Sequence, residues 1–175
     1  MRNTIARIAD GIDRITAGVG RLAIGCSLYI VIVEFAVVAM RYLLGLGSIR
    51  LQESVIYGHA ALFMLAAAWT LQEEGHVRVD IFYMRAKPRA RALIDLFGAV
   101  FFLLPFVIVL LFVALPYVER SWFIREGSPQ PSGLPFVYLL KTLIPLFAVL
   151  LGLQGLAQAI RAALILSGSH RQPSH

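Results

Sequence analysis

The stretch Ala92–Val118, ALIDLFGAVFFLLPFVIVLLFVALPYV, carries one charged side chain near its start, Asp95, and none after it. The hydrocarbon core of a bilayer is about 30 Å thick, and a helix needs about 20 apolar residues to cross it. Lipid offers backbone amides no hydrogen-bond partner, so such a run must satisfy its own backbone as a helix. Three more runs share this character, at roughly Leu22–Leu44, Val55–Leu71 and Leu134–Leu166, with short polar loops between them. The chain therefore reads as an all-α integral membrane protein of four transmembrane helices. Little of its 175 residues is left to form a soluble catalytic domain.

Composition agrees, with 59% hydrophobic and 15% charged residues and a mean hydropathy of +0.77. The net charge of +6 comes from where the cations lie rather than from a nucleic-acid footprint. Arg2, Arg7, Arg14 and Arg21 precede span one; Arg78, Arg85, Lys87, Arg89 and Arg91 lie between spans two and three; Arg161 and Arg171 close the chain. The other face carries only Arg41, Arg50, Arg120 and Arg125, with Lys141 inside span four. A basic excess marks the cytoplasmic side, so both termini are expected inside. No nucleic-acid partner is expected. Cys26 is the only cysteine and reads as a small buried hydrophobe. The first apolar run is too long for a signal h-region and ends in Met40-Arg41-Tyr42 without a small-residue cleavage pattern, so it is expected to remain as a span.

Residues 1–21 have a pattern of their own. Ile5, Ile8, Ile12, Ile15, Val19 and Leu22 recur at helical spacing, flanked by Arg7, Arg14 and Arg21. That describes an amphipathic helix lying in the membrane interface against lipid; a coiled-coil seam shares the period of about 3.5 residues and is the competing reading. The transmembrane domain is then 22–166, and the polar segment 167–175 reads as a disordered tail. Within the domain, Arg41-Tyr42 and the glycines of Leu44–Ser48 form a short outer turn, and Glu53 falls near a helix N-terminus, where the dipole favours a carboxylate. Trp69 anchors the inner end of span two. Pro105 predicts a kink within span three. The longest outer loop, Glu119–Gly133, ends in a turn-rich Ser128-Pro129-Gln130-Pro131-Ser132-Gly133.

Ionisable side chains inside spans are costly, which makes Glu34, His59 and Lys141 the first functional candidates. Glu34 and Lys141 lie at similar depths below the outer face, so Glu34 is expected to pair with Lys141, with Arg41 two turns along its own helix, or with a partner subunit. A second possibility is that Glu34 works as a proton-coupling carboxylate, and a third that it snorkels without a partner. His59 has no second intramembrane histidine with which to hold a haem. His76 and Asp80 are too few ligands for zinc. No cofactor is expected, and no nucleophile–base set or phosphate loop points to an enzyme.

Arg41-Tyr42, Leu51-Gln52-Glu53, Glu73-Glu74-Gly75-His76-Val77-Arg78-Val79-Asp80, and Gly133-Leu134-Pro135 followed by Lys141 and Pro145 together resemble one family. It is the small permease subunit of tripartite ATP-independent periplasmic (TRAP) transporters, and the resemblance covers about residues 20–165. It implies a non-catalytic subunit that braces a large permease subunit for cation-coupled uptake of an organic acid. A periplasmic binding protein would deliver that acid. It also implies that Glu73, His76, Arg78 and Asp80 fix the inner end of span two. Arg120, Arg125 and Glu126, on the outer loop, are expected to touch the binding protein. The alternative is a self-sufficient four-helix proton-coupled transporter, whose single membrane glutamate Glu34 resembles.

Overall fold

The computed structural model describes residues 2–75, 83 and 85–168. Among these all regular secondary structure is helical, with α1 (Arg2–Leu44), α2 (Ile49–Gln72), α3 (Pro88–Phe123) and α4 (Val137–Leu166). Each of the four is long and apolar enough to cross a bilayer, as the sequence predicts. The protein is a multi-pass membrane protein.

No helix boundary falls at residues 21 and 22. Arg2–Leu44 is one helix of 43 residues, about 65 Å long at 1.5 Å per residue and so about twice the depth of the hydrocarbon core. The change from an amphipathic to an apolar pattern supplies no stop signal, and no proline interrupts the helix. The expected apolar stripe divides. Ile12 turns inward with Ala9 to pack on Leu153, Ala157 and Ile160 of α4, while Ile5, Ile8, Ile15 and Leu22 stay exposed.

The turn from α1 to α2 passes through Gly45 at φ +67, a left-handed conformation that suits glycine. Ser48 then caps α2, its hydroxyl accepting the Leu51 N–H at 3.4 Å. The two helices run antiparallel in close contact: Gly20 lies beneath the Trp69 indole, and Gly58 lies against Tyr29 and Ile30. α2 ends in a Schellman turn. Glu74 takes φ 55, the Gly75 N–H reaches the Thr70 carbonyl at 2.8 Å and the Glu74 N–H reaches that of Leu71 at 3.3 Å.

α3 starts with Pro88 in its first turn and carries a π-helical turn, Ala99–Leu103, just before Pro105. Pro105 has no N–H, and its ring crowds the carbonyl four residues back. The helix absorbs this by widening: the Leu104 N–H bonds to the Ala99 carbonyl, five residues back. The disturbance expected at Pro105 is therefore present as a π-bulge.

α4 is the centre of the bundle and packs on all three other helices. Its small residues let neighbours approach. A Cβ on Gly152 would stand 2.9 Å from Val107, and one on Gly155 would stand 2.5 Å from Leu103. Val107, Ala148 and Leu151 form the buried core of the α3–α4 seam.

Candidate functional site: two polar clasps and an exposed carboxylate

The polar side chains divide into an outer set, an inner set and two isolated groups between them. At the outer end, Glu53 in the second turn of α2 reaches across to the α3–α4 loop. Its carboxylate accepts the Leu134 N–H at 2.6 Å and the Ser128 hydroxyl. The loop is closed on itself by the Ser128 N–H, which donates to the Leu134 carbonyl at 2.9 Å. Gly133 sits where a side chain cannot: a Cβ there would lie 2.7 Å from Glu53 Oε1 and collide with Ser128. Thus Leu51-Gln52-Glu53 and Gly133-Leu134-Pro135, two of the quoted motif segments, meet in one contact.

Lys141, in the first turns of α4, completes this clasp. Its ammonium bonds Glu126 at 2.5 Å and lies 4.1 Å from the centroid of the Tyr117 ring. The Lys141 ammonium keeps the Glu126 carboxyl below the ordinary carboxylate range. Beside it, Trp122 Nε1–H donates to Thr142 Oγ1 at 2.8 Å, and the Trp122 and Tyr138 rings meet edge to face at 4.8 Å. Arg125 holds φ 47 at a second Schellman turn, in which the Glu126 N–H reaches the Ser121 carbonyl at 3.0 Å and the Arg125 N–H that of Trp122 at 3.2 Å.

The inner clasp was not singled out from the sequence. Arg161 of α4 bonds Asp13 and approaches Asp10 at 3.5 Å. Gln154 is fully buried and donates to Asp13 Oδ1 at 3.1 Å. Gln158 donates to the Leu71 carbonyl at 3.0 Å, tying the end of α2 to α4. The available signal was Asp10 and Asp13 at a spacing of three within an otherwise basic segment, opposite a lone Arg161 at the end of a span. The remaining inner anchor is Glu73, whose carboxylate accepts the Trp69 indole N–H at 3.3 Å.

Lys141 therefore meets Glu126 and not Glu34. Their depths match, but Lys141 is turned toward the loop that precedes its own helix. Glu34 is exposed on α1, and among the described residues it forms no ion pair with Lys141 or Arg41. Arg41 is exposed in the last turn of α1, where a cation is favoured. His59 is exposed on α2, its ring stacked near Phe63 at 6.3 Å. Arg120 and Arg125 are exposed on the outer face, while Glu126 is partly buried in its bond to Lys141. His76, Arg78, Asp80 and the segment 169–175 lie outside the described residues.

No curated protein and no solved structure matches the chain. The family model described as Tripartite ATP-independent periplasmic transporters, DctQ component, matches residues 30–164. That range takes in Glu34, His59, Glu53, the outer clasp and all of α4 to beyond Arg161. With well over half its length matched, the chain belongs to this family, the small membrane component of tripartite transporters that also comprise a large permease and a binding protein.

Proposed function

We propose that the chain is a non-catalytic brace for the large permease subunit during cation-coupled uptake of an organic acid delivered by the periplasmic binding protein. The supporting observation is where the polar side chains are engaged. Glu53, Lys141 and Glu126 fasten the outer ends of α2, α3 and α4 to one loop, and Asp13, Gln154 and Arg161 fasten α1 to α4 at the inner end. Polar groups used in this way fix helices against each other, which is the property a brace needs. Glu34 points away from the bundle interior, which counts against its acting as the proton carrier of a self-sufficient transporter.

The orientation follows the distribution of basic residues: both termini are cytoplasmic in the bacterial inner membrane. The exposed stripe Ile5, Ile8, Ile15 and Leu22, flanked by Arg7, Arg14 and Arg21, rests the first turns of α1 on the cytoplasmic lipid surface. By the family resemblance, His76, Arg78 and Asp80 are proposed to serve with Glu73 in fixing the inner end of span two. Arg120, in the last turn of α3, and Arg125, in the loop after it, offer the binding protein two cations, with Glu126 holding that loop in place.

Reconstitution tests the reading. Proteoliposomes containing the chain, the large permease and the binding protein should accumulate substrate, and the chain alone should not. Uptake by the chain alone would refute the brace.

A further inference from the structure

The outside of the bundle is not uniform. α3 presents an apolar surface in which Phe102, Val109, Phe112 and Val113 are all well over half exposed, and no ionisable side chain other than Tyr117 occurs between Asp95 and Glu119. Such a surface suits lipid. The α1–α2 pair differs. On α2, Gln52, Ile56, His59 and Phe63, at spacings of four, three and four, form one exposed stripe. On α1, Ser27, Glu34 and Arg41 recur every seven residues and are all exposed. They flank the seam made by the buried Ile30 and Val37.

The packing of Gly58 against Tyr29 and Ile30 sets the depth of these groups. His59 is level with that contact, and Glu34 lies about 7 Å nearer the outer face at 1.5 Å per residue. Both are two turns or more from the ends of their helices. Arg41 is long and near a helix end, so it can reach the headgroups. Glu34 has a short stem and cannot do the same. An ionised carboxylate left against hydrocarbon at this depth is unfavourable by a large margin, and the usual resolution is a donor from another helix.

We infer that the α1–α2 face carrying Glu34 and His59 is the surface on which the large permease subunit docks. That subunit presents a basic or hydroxyl donor to Glu34, and α3 is left to lipid. The inference rests on the brace reading and adds to it which side of the bundle bears the load.

The test uses the intact transporter, purified through a tag on the large subunit. A photoreactive benzoylphenylalanine is placed at Phe63 on the α2 stripe or at Phe112 on α3. Irradiation should join the chain to the large subunit at least tenfold more from Phe63 than from Phe112. Glu34→Lys should lower co-purification at least tenfold, whereas Glu34→Gln, still a hydrogen-bonding group, should keep most of it. Crosslinking from Phe112 and not Phe63, or wild-type co-purification of Glu34→Lys, would overturn the assignment of the face. Failure of the wild-type chain to co-purify with the large subunit at all would instead overturn the brace reading on which it stands. The photocrosslink is read in chains with native Glu34, so it decides the question even where Glu34→Lys fails to fold.

Discussion

Glu53 and Leu134 are 81 residues apart in the chain, and the Glu53 carboxylate accepts the Leu134 N–H at 2.6 Å. This bond joins the start of α2 to the loop that leads into α4. Glu53→Ala removes the acceptor for both Leu134 and Ser128 and should loosen the outer end, lowering the unfolding temperature. Glu53→Gln retains one carbonyl acceptor and should cost less. Thermal unfolding in detergent, together with limited proteolysis within 124–136, measures the difference.

Gly133 is constrained by the same contact. Gly133→Ala places a methyl group against Ser128 and 2.7 Å from Glu53 Oε1, so it should cost about 1–3 kcal/mol by overpacking. Adding Ser128→Gly removes one of the two obstacles. A double-mutant cycle should then show the pair costing less than the sum of the singles. Simple additivity would mean that the Gly133 site relaxes some other way.

The Lys141–Glu126 bond makes the outer loop sensitive to pH. The Glu126 carboxyl is held below its ordinary value of 4.5, so the folded state favours its ionised form. The stabilisation is present in full above about pH 4.5 and is lost as pH falls through the lower, folded-state value. Proteolytic release of the loop should rise on acidification below that point in the wild type. In Glu126→Gln the Lys141 bond is already weakened, so the loop should be more readily cleaved at neutral pH and show less further change on acidification.

At the inner end, Arg161→Ala leaves the partly exposed Asp13 carboxylate without its cation, held only by the Gln154 amide. It should release the first turns of α1 from α4, seen as faster cleavage within residues 4–16. The Arg161 side chain is 34% exposed, so solvent screening keeps the direct cost near 1 kcal/mol. Asp13→Ala combined with Arg161→Ala should be less harmful than the two single losses added together.

The four spans were legible because an apolar run long enough to cross lipid has few other uses, and Ala92–Val118 and Leu134–Leu166 became α3 and α4 with small shifts at their ends. The continuity of α1 was less legible, because the pattern change near Arg21 comes with no break in the backbone. Pro105 marked a disturbance, but its resolution as a π-bulge depends on where the neighbouring turn can widen. Lys141 shows the limit of depth as a guide: matching depths suggested Glu34, while the true partner, Glu126, is 15 residues away along the chain. Glu53 and Gly133 were each noticed, one for the helix dipole and one within a turn. No spacing rule connects residues so far apart, and only the packing of α2 beside α4 brings them together.

The central claim is that this chain stays rigid while its partner moves. Cys26 is the only native cysteine, so a Cys26→Ser background carrying Asp13→Cys and Arg161→Cys can be bridged by a short, reducible bifunctional reagent. The bridge fastens α1 to α4 where the ion pair did. Uptake by the full transporter, measured in proteoliposomes before and after bridging, tests the claim most directly. A brace predicts uptake after bridging at least as fast as before it; loss of uptake on bridging, restored by reduction, would show that these helices must move and would contradict it.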